Sequence, residues 1–160
     1  QYSDYTAEYA REQSIAGGDP KESFTNRSYK GKSTVASNKS DMELVINTKK
    51  EMGDKPVVAI VNIGRPMIMS EIEPYADAIL LSFSVQQQAI LDIVTGAAEP
   101  SALLPMQLPA NMKTVEEQYE DVPQDMECYV DAEGHSYDFA FGMNWSGVID
   151  DARFKKYASK

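Results

Sequence analysis

Apolar residues gather into two unbroken runs near the middle of the chain. Pro56-Val57-Val58-Ala59-Ile60-Val61-Asn62-Ile63 lies between Gly53 and Gly64 and is β-branched over most of its length. Such a run predicts a strand buried on both faces, because a half-exposed strand alternates apolar with polar positions. Ala78-Ile79-Leu80-Leu81-Ser82-Phe83 predicts a second strand of the same kind. Around these runs the period becomes helical. Met42, Val45, Ile46 and Met52 share one face, Ser40-Asp41-Met42-Glu43 reads as a capping box, and Gly53 supplies a left-handed stop. Val85, Ala89, Ile90, Ile93 and Val94 form a second stripe, with Ser84 placed to cap it and Gly96 just beyond. Ser70-Glu71-Ile72-Glu73 offers another helix start, which Pro74 either joins or ends.

Further on, Leu103-Leu104-Pro105-Met106-Gln107-Leu108-Pro109 reads as a third strand, and its prolines assign it to an edge. Strands alternating with helices at this spacing predict an α/β fold: a three-layer α/β/α sandwich on a mainly parallel sheet. The last fifty or so residues are less regular. They contain a short helix over 114–119, a hairpin turning at Asp131-Ala132-Glu133-Gly134, an aromatic tail at 139–145 and a closing helix over 150–157. Residues 1–39 form a separate, loop-rich segment in which only 5–13 reads as helix, capped by Thr6; the domain proper is 40–160.

Composition narrows the function classes. The 160 residues carry a formal net charge of −10, a field that repels phosphate backbones and anionic lipid. Neither nucleic acid nor a membrane is an expected partner, and no apolar run reaches the ~18 residues of a membrane span. One histidine, His135, and one cysteine, Cys128, cannot fill a zinc shell, and the 131–134 turn lacks calcium-hand spacing, so no metal is expected. The Gly17-Gly18 pair lacks the flanks of a phosphate cradle, so no nucleotide cofactor is expected either. Cys128 has acidic and apolar neighbours rather than a cationic one, which reads as a structural thiol. His135 reads as a turn residue facing water. Gln1 is not an initiator methionine and no charged-then-apolar leader follows it, so removal of a signal or a larger N-terminal portion is expected.

Among the many carboxylates, those of the loop-rich segment stand in different company. Glu22 is followed by Phe24, Asn26, Arg27 and Tyr29. Such aromatic, amide and guanidinium groups stack on pyranose rings and bind sugar hydroxyls; the same composition also fits a surface flap with an Arg–carboxylate pair.

In motif order, the chain resembles the C-terminal α/β-sandwich domain of family 3 glycoside hydrolases. The resemblance starts with Lys55-Pro56-Val57-Val58-Ala59-Ile60-Val61-Asn62-Ile63-Gly64-Arg65-Pro66 and continues through Tyr75-Ala76-Asp77-Ala78-Ile79-Leu80 and Ala89-Ile90-Leu91-Asp92-Ile93-Val94-Thr95-Gly96. Glu99-Pro100-Ser101-Ala102-Leu103-Leu104-Pro105 resembles the family's Asn-Pro-Ser-Gly-Arg-Leu-Pro. Tyr137-Asp138-Phe139-Ala140-Phe141-Gly142-Met143-Asn144 resembles its closing aromatic strand. There are departures. Ser84-Val85-Gln86-Gln87-Gln88 stands where Gly-Gln-Glu-Gly-Gly is common, Ala102-Leu103 replaces Gly-Arg, and the family's first sandwich strand has no counterpart before Ser40.

The resemblance implies a β-glucosidase-like enzyme acting on β-linked sugars, in a secreted or periplasmic setting. It also implies a nucleophilic aspartate in a separate N-terminal barrel domain, with which this chain would partner. A retaining glycosidase needs two carboxyl groups about 5–5.5 Å apart, one of them a protonated acid. The family lends that acid/base from a loop reaching over the barrel. The matching stretch is 14–32, where Lys21-Glu22-Ser23-Phe24-Thr25-Asn26-Arg27 resembles Gly-Glu-Gly-x-Asp-Arg with one extra residue and Asn26 for Asp. Glu22 is thereby the acid/base candidate, Glu8 the second, and Asn26 and Arg27 candidate substrate contacts. The chain alone is expected to be inactive. The alternative is a non-catalytic carbohydrate-binding or self-associating module, since a missing first strand leaves a sheet edge open to homodimerisation.

Overall fold

The computed structural model describes residues 1–11, 30–119 and 122–157. They form a small α/β fold whose centre is a parallel strand pair, with short antiparallel pairs and four α-helices around it among the described residues. The antiparallel strands β1 (Tyr5–Thr6) and β2 (Ser33–Thr34) pair first. Helix α1 (Lys39–Met52) leads to β3 (Val58–Asn62), and a 3₁₀ turn (Glu73–Tyr75) leads to β4 (Ala78–Ser82). Then come α2 (Gln87–Val94), α3 (Met112–Glu117), the hairpin of β5 (Met143–Asn144) and β6 (Gly147–Val148), and α4 (Ala152–Tyr157).

β3 and β4 run parallel in the register Val58↔Ala78 to Asn62↔Ser82. Asp77 sets this register from one end: its carboxylate accepts the Val57 N–H at 2.7 Å and pairs with Lys49 of α1 at 2.8 Å. The Lys49 ammonium, and then the Val57 amide, hold the Asp77 carboxyl below its ordinary value. Asn62 closes the other end, its Oδ1 accepting the Ser84 N–H at 2.8 Å.

Alternation along the strands divides the pair into two unlike faces. Ala59, Val61, Ile79 and Leu81 turn toward the core, a cluster of Tyr2, Ile63, Met69, Ile72 and Leu108 joined by Met42 and Val45 of α1. Met69 and Leu108 have no exposed surface. The opposite face is open among the described residues: Val58 is 41% and Ile60 50% exposed. The expectation of burial on both faces therefore fails for β3. Its β-branched run reflects strand propensity on both sides and packing on one.

Local differences from the sequence reading have local causes. The capping box at Ser40 does not form; α1 begins two residues earlier, after Asn38, without a side-chain cap bond, and Ser40 lies inside the helix. Gly53 is the left-handed stop, at φ 58°, its N–H bonded to the Lys49 carbonyl. Ser84 does not cap α2, because its own backbone is left-handed at φ 60° and the helix starts at Gln87. Pro74 lies within the 3₁₀ turn. The 103–109 stretch makes no regular strand: Leu104 and Leu108 exchange single bonds with Phe141, Ala140, Tyr137 and Tyr129, while Pro105 and Pro109 bring no donor. Thr6 pairs in β1 rather than capping a helix.

Candidate functional site

A cleft of about 900 Å³ runs along the outer edge of β4. One wall is β4 with Phe83 and the apolar stripe of α2, Ala89, Ile90 and Ile93. The other is the 99–104 stretch with residues 141–145, and the end is the 131–135 turn. Two bonds lock the second wall, Leu104 N–H to the Phe141 carbonyl at 2.7 Å and Ala140 N–H to the Leu104 carbonyl at 2.9 Å. Gly142 is required where these segments touch. A Cβ there would press into the Ala102 carbonyl oxygen and lie 3.0 Å from Leu103 Cδ2.

The turn at the end of the cleft forms as the sequence suggests, but its histidine behaves otherwise. Gly134 adopts φ 87°, the Asp131 carbonyl accepts its N–H at 3.1 Å, and Val130 bridges Ser136. Asp131 Oδ1 accepts the His135 N–H at 2.8 Å, and Oδ2 lies 2.9 Å from His135 Nδ1. Burial opposes ionisation of Asp131, yet the His135 amide and ring outweigh it and hold the carboxyl below its ordinary value. His135 does not simply face water. It is half-buried and stacks on Phe141 at 5.9 Å, Phe141 stacks on Tyr137 at 5.3 Å, and Tyr137 meets Tyr129 edge-on at 5.3 Å. Tyr129 donates its hydroxyl to Glu73 at 2.7 Å. Burial first, then the neighbouring carboxylates, raise both tyrosine hydroxyls and keep them protonated.

Asp131, Glu133 and His135 bring ligand atoms within 4.8 Å of one another, the group of described residues placed to share a cation. Both Asp131 oxygens are already engaged by His135, so these contacts serve the turn. Cys128 is half-buried against the Gln107 amide, 3.2 Å away, as a structural thiol would be.

Glu22, Asn26 and Arg27 lie outside the described residues. The residues before and after that stretch share one ladder: Ala7 N–H donates to the Lys32 carbonyl at 3.0 Å and Gly31 N–H to the Ala7 carbonyl at 2.6 Å. The ladder is in turn tied to α3. Tyr9 N–H donates to Glu116 at 2.7 Å, Arg11 donates to the Gln118 carbonyl, and its guanidinium lies 4.2 Å from the Tyr119 ring centre. Glu8 sits exposed on this segment beside Tyr5, away from the β4 cleft. The structure therefore does not bring Glu8 together with the carboxylates of the cleft. Sequence reasoning gave Glu73, Glu99 and Phe83 no role in a site, although Glu99 opens a family motif and the other two lie in predicted elements; their convergence comes from tertiary packing.

Comparison with known proteins gives these segments a family. The description "Glycosyl hydrolase family 3 C-terminal domain" matches residues 7–145. "Beta-glucosidase C" of Emericella nidulans is 36% identical over 84 residues, 52% of this chain and 14% of that protein. "Probable beta-glucosidase C" of Aspergillus oryzae is 36% identical over 85 residues, 53% of this chain and 13% of the relative. "Periplasmic beta-glucosidase/beta-xylosidase" of Dickeya chrysanthemi is 24% identical over 102 residues, 64% of this chain and 15% of the relative. The matched stretch is thus a small share of each relative's length. No solved structure matches the chain. The chain belongs to the C-terminal domain family of the family 3 glycosyl hydrolases.

Proposed function

We propose that this chain is the sandwich-domain portion of a retaining β-glycosidase of the β-glucosidase type. In this reading it lends the general acid/base to a sugar site whose nucleophile stands on an N-terminal barrel. Glu22 is the acid/base and Glu8 the second candidate, with Asn26 and Arg27 on the substrate hydroxyls. The observation that carries the reading is the family match, which runs through the Glu22 stretch and the described strand β2 that follows it. In the first half-reaction the carboxylic acid protonates the leaving glycosidic oxygen while the partner domain's carboxylate attacks the anomeric carbon. In the second, the same group, now a carboxylate, takes a proton from the attacking water. The chain by itself holds one member of this pair, so it does not turn over substrate.

The test is Glu22→Gln in the full-length enzyme that carries this chain, assayed with an aryl β-glucoside having a poor leaving group. Loss of the acid/base lowers kcat/KM for this substrate by roughly 10²–10⁴-fold, whereas with a dinitrophenyl β-glucoside, whose leaving group needs no acid, added azide restores turnover by attacking the accumulated glycosyl-enzyme without a general base. Unchanged kcat/KM in Glu22→Gln, with the loss appearing in Glu8→Gln instead, moves the role to Glu8. Full activity in both variants ends the assignment, as does turnover by the isolated 160-residue chain.

A further inference from the structure

On the reading of Glu22 as the acid/base, on which this inference rests, we propose that Glu116 of α3 is a positioning residue for that group. It fixes the two described chain ends between which residues 12–29 run. Those ends form one unit. Tyr2 is buried in the core, and its N–H donates to Glu71 at 2.7 Å. Asp4 accepts the Ala36 N–H at 2.8 Å, and the Thr6 and Ser33 hydroxyls meet at 2.8 Å. With the Ala7–Lys32 and Gly31–Ala7 bonds, residues 4–7 and 31–36 move together, so whatever holds Tyr9 bears on both ends.

Glu116 holds Tyr9. Its Oε2 accepts the Tyr9 N–H at 2.7 Å, joining residues 107 positions apart in the chain. Its Oε1 and the Tyr5 hydroxyl are both shut off from solvent, and neither has a hydrogen-bond partner of normal geometry among the described residues. Burial first, then the adjoining Glu116 carboxylate, raises the Tyr5 hydroxyl and keeps it protonated. A buried acceptor left without a donor costs stability, so packing alone would be better served by an apolar side chain. An apolar side chain could not accept the Tyr9 N–H.

The helix that carries Glu116 is itself fixed. Asn111 accepts the Thr114 N–H at 3.0 Å, Ala110 N–H donates to the Glu127 carbonyl at 3.0 Å, and Leu108 just before them has no exposed surface. Arg11, the last described residue before 12–29, donates to the Gln118 carbonyl and covers the Tyr119 ring. A general acid must come within hydrogen-bond reach of the glycosidic oxygen, and a displacement of about 1 Å costs roughly 10²-fold in rate. Without the Glu116 carboxylate Tyr9 shifts, and with it the start of the chain that leads to Glu22.

The test places Glu116→Ala, Glu116→Asp and Glu116→Gln in the full-length enzyme that carries this chain, beside Glu22→Gln. Each is assayed with a phenyl β-glucoside, whose leaving group needs protonation, and a dinitrophenyl β-glucoside, whose leaving group does not. Glu116→Asp draws the acceptor back by one methylene. It and Glu116→Ala are expected to lower kcat/KM at least about tenfold for the phenyl substrate and less than about twofold for the dinitrophenyl one. Glu116→Gln keeps an acceptor for Tyr9 and is expected to stay within about threefold of the parent on both. Equal losses on the two substrates in Glu116→Ala and Glu116→Asp would mark a merely structural residue and overturn the proposal, as would no loss on either. A selective loss in Glu116→Gln as large as that in Glu116→Ala overturns it too, because the bond to Tyr9 would then not be what matters. Should Glu22→Gln show no dependence on the leaving group, the acid/base reading fails and the positioning role falls with it. A selective loss in Glu22→Gln with none in the Glu116 variants sinks the positioning role alone.

Discussion

Substituting Gly142 by alanine tests whether the wall opposite β4 is packed as tightly as its geometry states. The added Cβ meets the Ala102 carbonyl oxygen well inside contact distance and touches Leu103 Cδ2 at 3.0 Å. The oxygen is main chain, so relief requires the 102–104 and 140–142 segments to part. The same segments hold the 2.7 Å Leu104–Phe141 and 2.9 Å Ala140–Leu104 bonds. Losing one or both costs about 0.5–1.5 kcal/mol each, and forcing a methyl group into a filled space costs about 1–3 kcal/mol more. The expected destabilisation is therefore roughly 2–5 kcal/mol, taking these contributions together. At about 2–4 °C per kcal/mol for a chain of this size, Tm falls by roughly 5–20 °C. Gly64→Ala is the control, since nothing lies within 4 Å of its Cβ position and its φ is not left-handed. There the effect is near zero, or a gain of ~0.4–1 kcal/mol from a stiffer unfolded chain. Urea unfolding of the two variants and the parent, followed by circular dichroism, measures both. If Gly142→Ala matches Gly64→Ala within about 0.5 kcal/mol, the contact is not the constraint described.

Asp131 makes stability depend on acid. Its folded carboxyl lies below the ordinary 3.8, so its contribution is complete above that value and is lost as pH falls through the folded one. Asp131→Asn is expected to flatten the fall in urea midpoint below about pH 4 relative to the parent; an unchanged slope would show that His135 does not hold the carboxylate ionised. Asn111 caps α3 by accepting the Thr114 N–H at 3.0 Å. Asn111→Ala is expected to cost about 1 kcal/mol and to speed amide exchange at Thr114; unaltered exchange there would show the cap to be idle.

What the sequence made legible follows from strong local signals. The Val57–Ile63 and Ala78–Phe83 runs located both central strands to within a residue or so, because short β-branched and aliphatic stretches, the first bounded by Gly53 and Gly64 and the second by Asp77 and Ser84, have few other solutions. The Asp131–Gly134 turn was readable because only a few residue types accept a left-handed backbone, and Gly134 occupies it. The partners of these elements were not readable. Burial of β3 on both faces was inferred from composition, which cannot distinguish a residue that is apolar because it is covered from one that is apolar because it extends the chain. The β1–β2 ladder escaped notice because strands of two residues have no period. His135 was read as solvent-facing because Phe141, the ring it stacks on, lies on the returning side of the hairpin. The candidate site was legible only through family motifs: Glu22 follows from a matched segment, whereas the carboxylates and aromatics of the β4 cleft meet through contacts distant in sequence.

The open side of β3 sets how the isolated chain behaves in bulk. Val58 and Ile60 give every molecule a small greasy strip, and a net charge of −10 is what keeps such strips from meeting. That protection vanishes near the isoelectric point of about 4.5 and shrinks in concentrated salt. Turbidity should therefore grow on mild acidification before any unfolding occurs, and storage conditions, rather than the fold, would decide whether preparations stay clear.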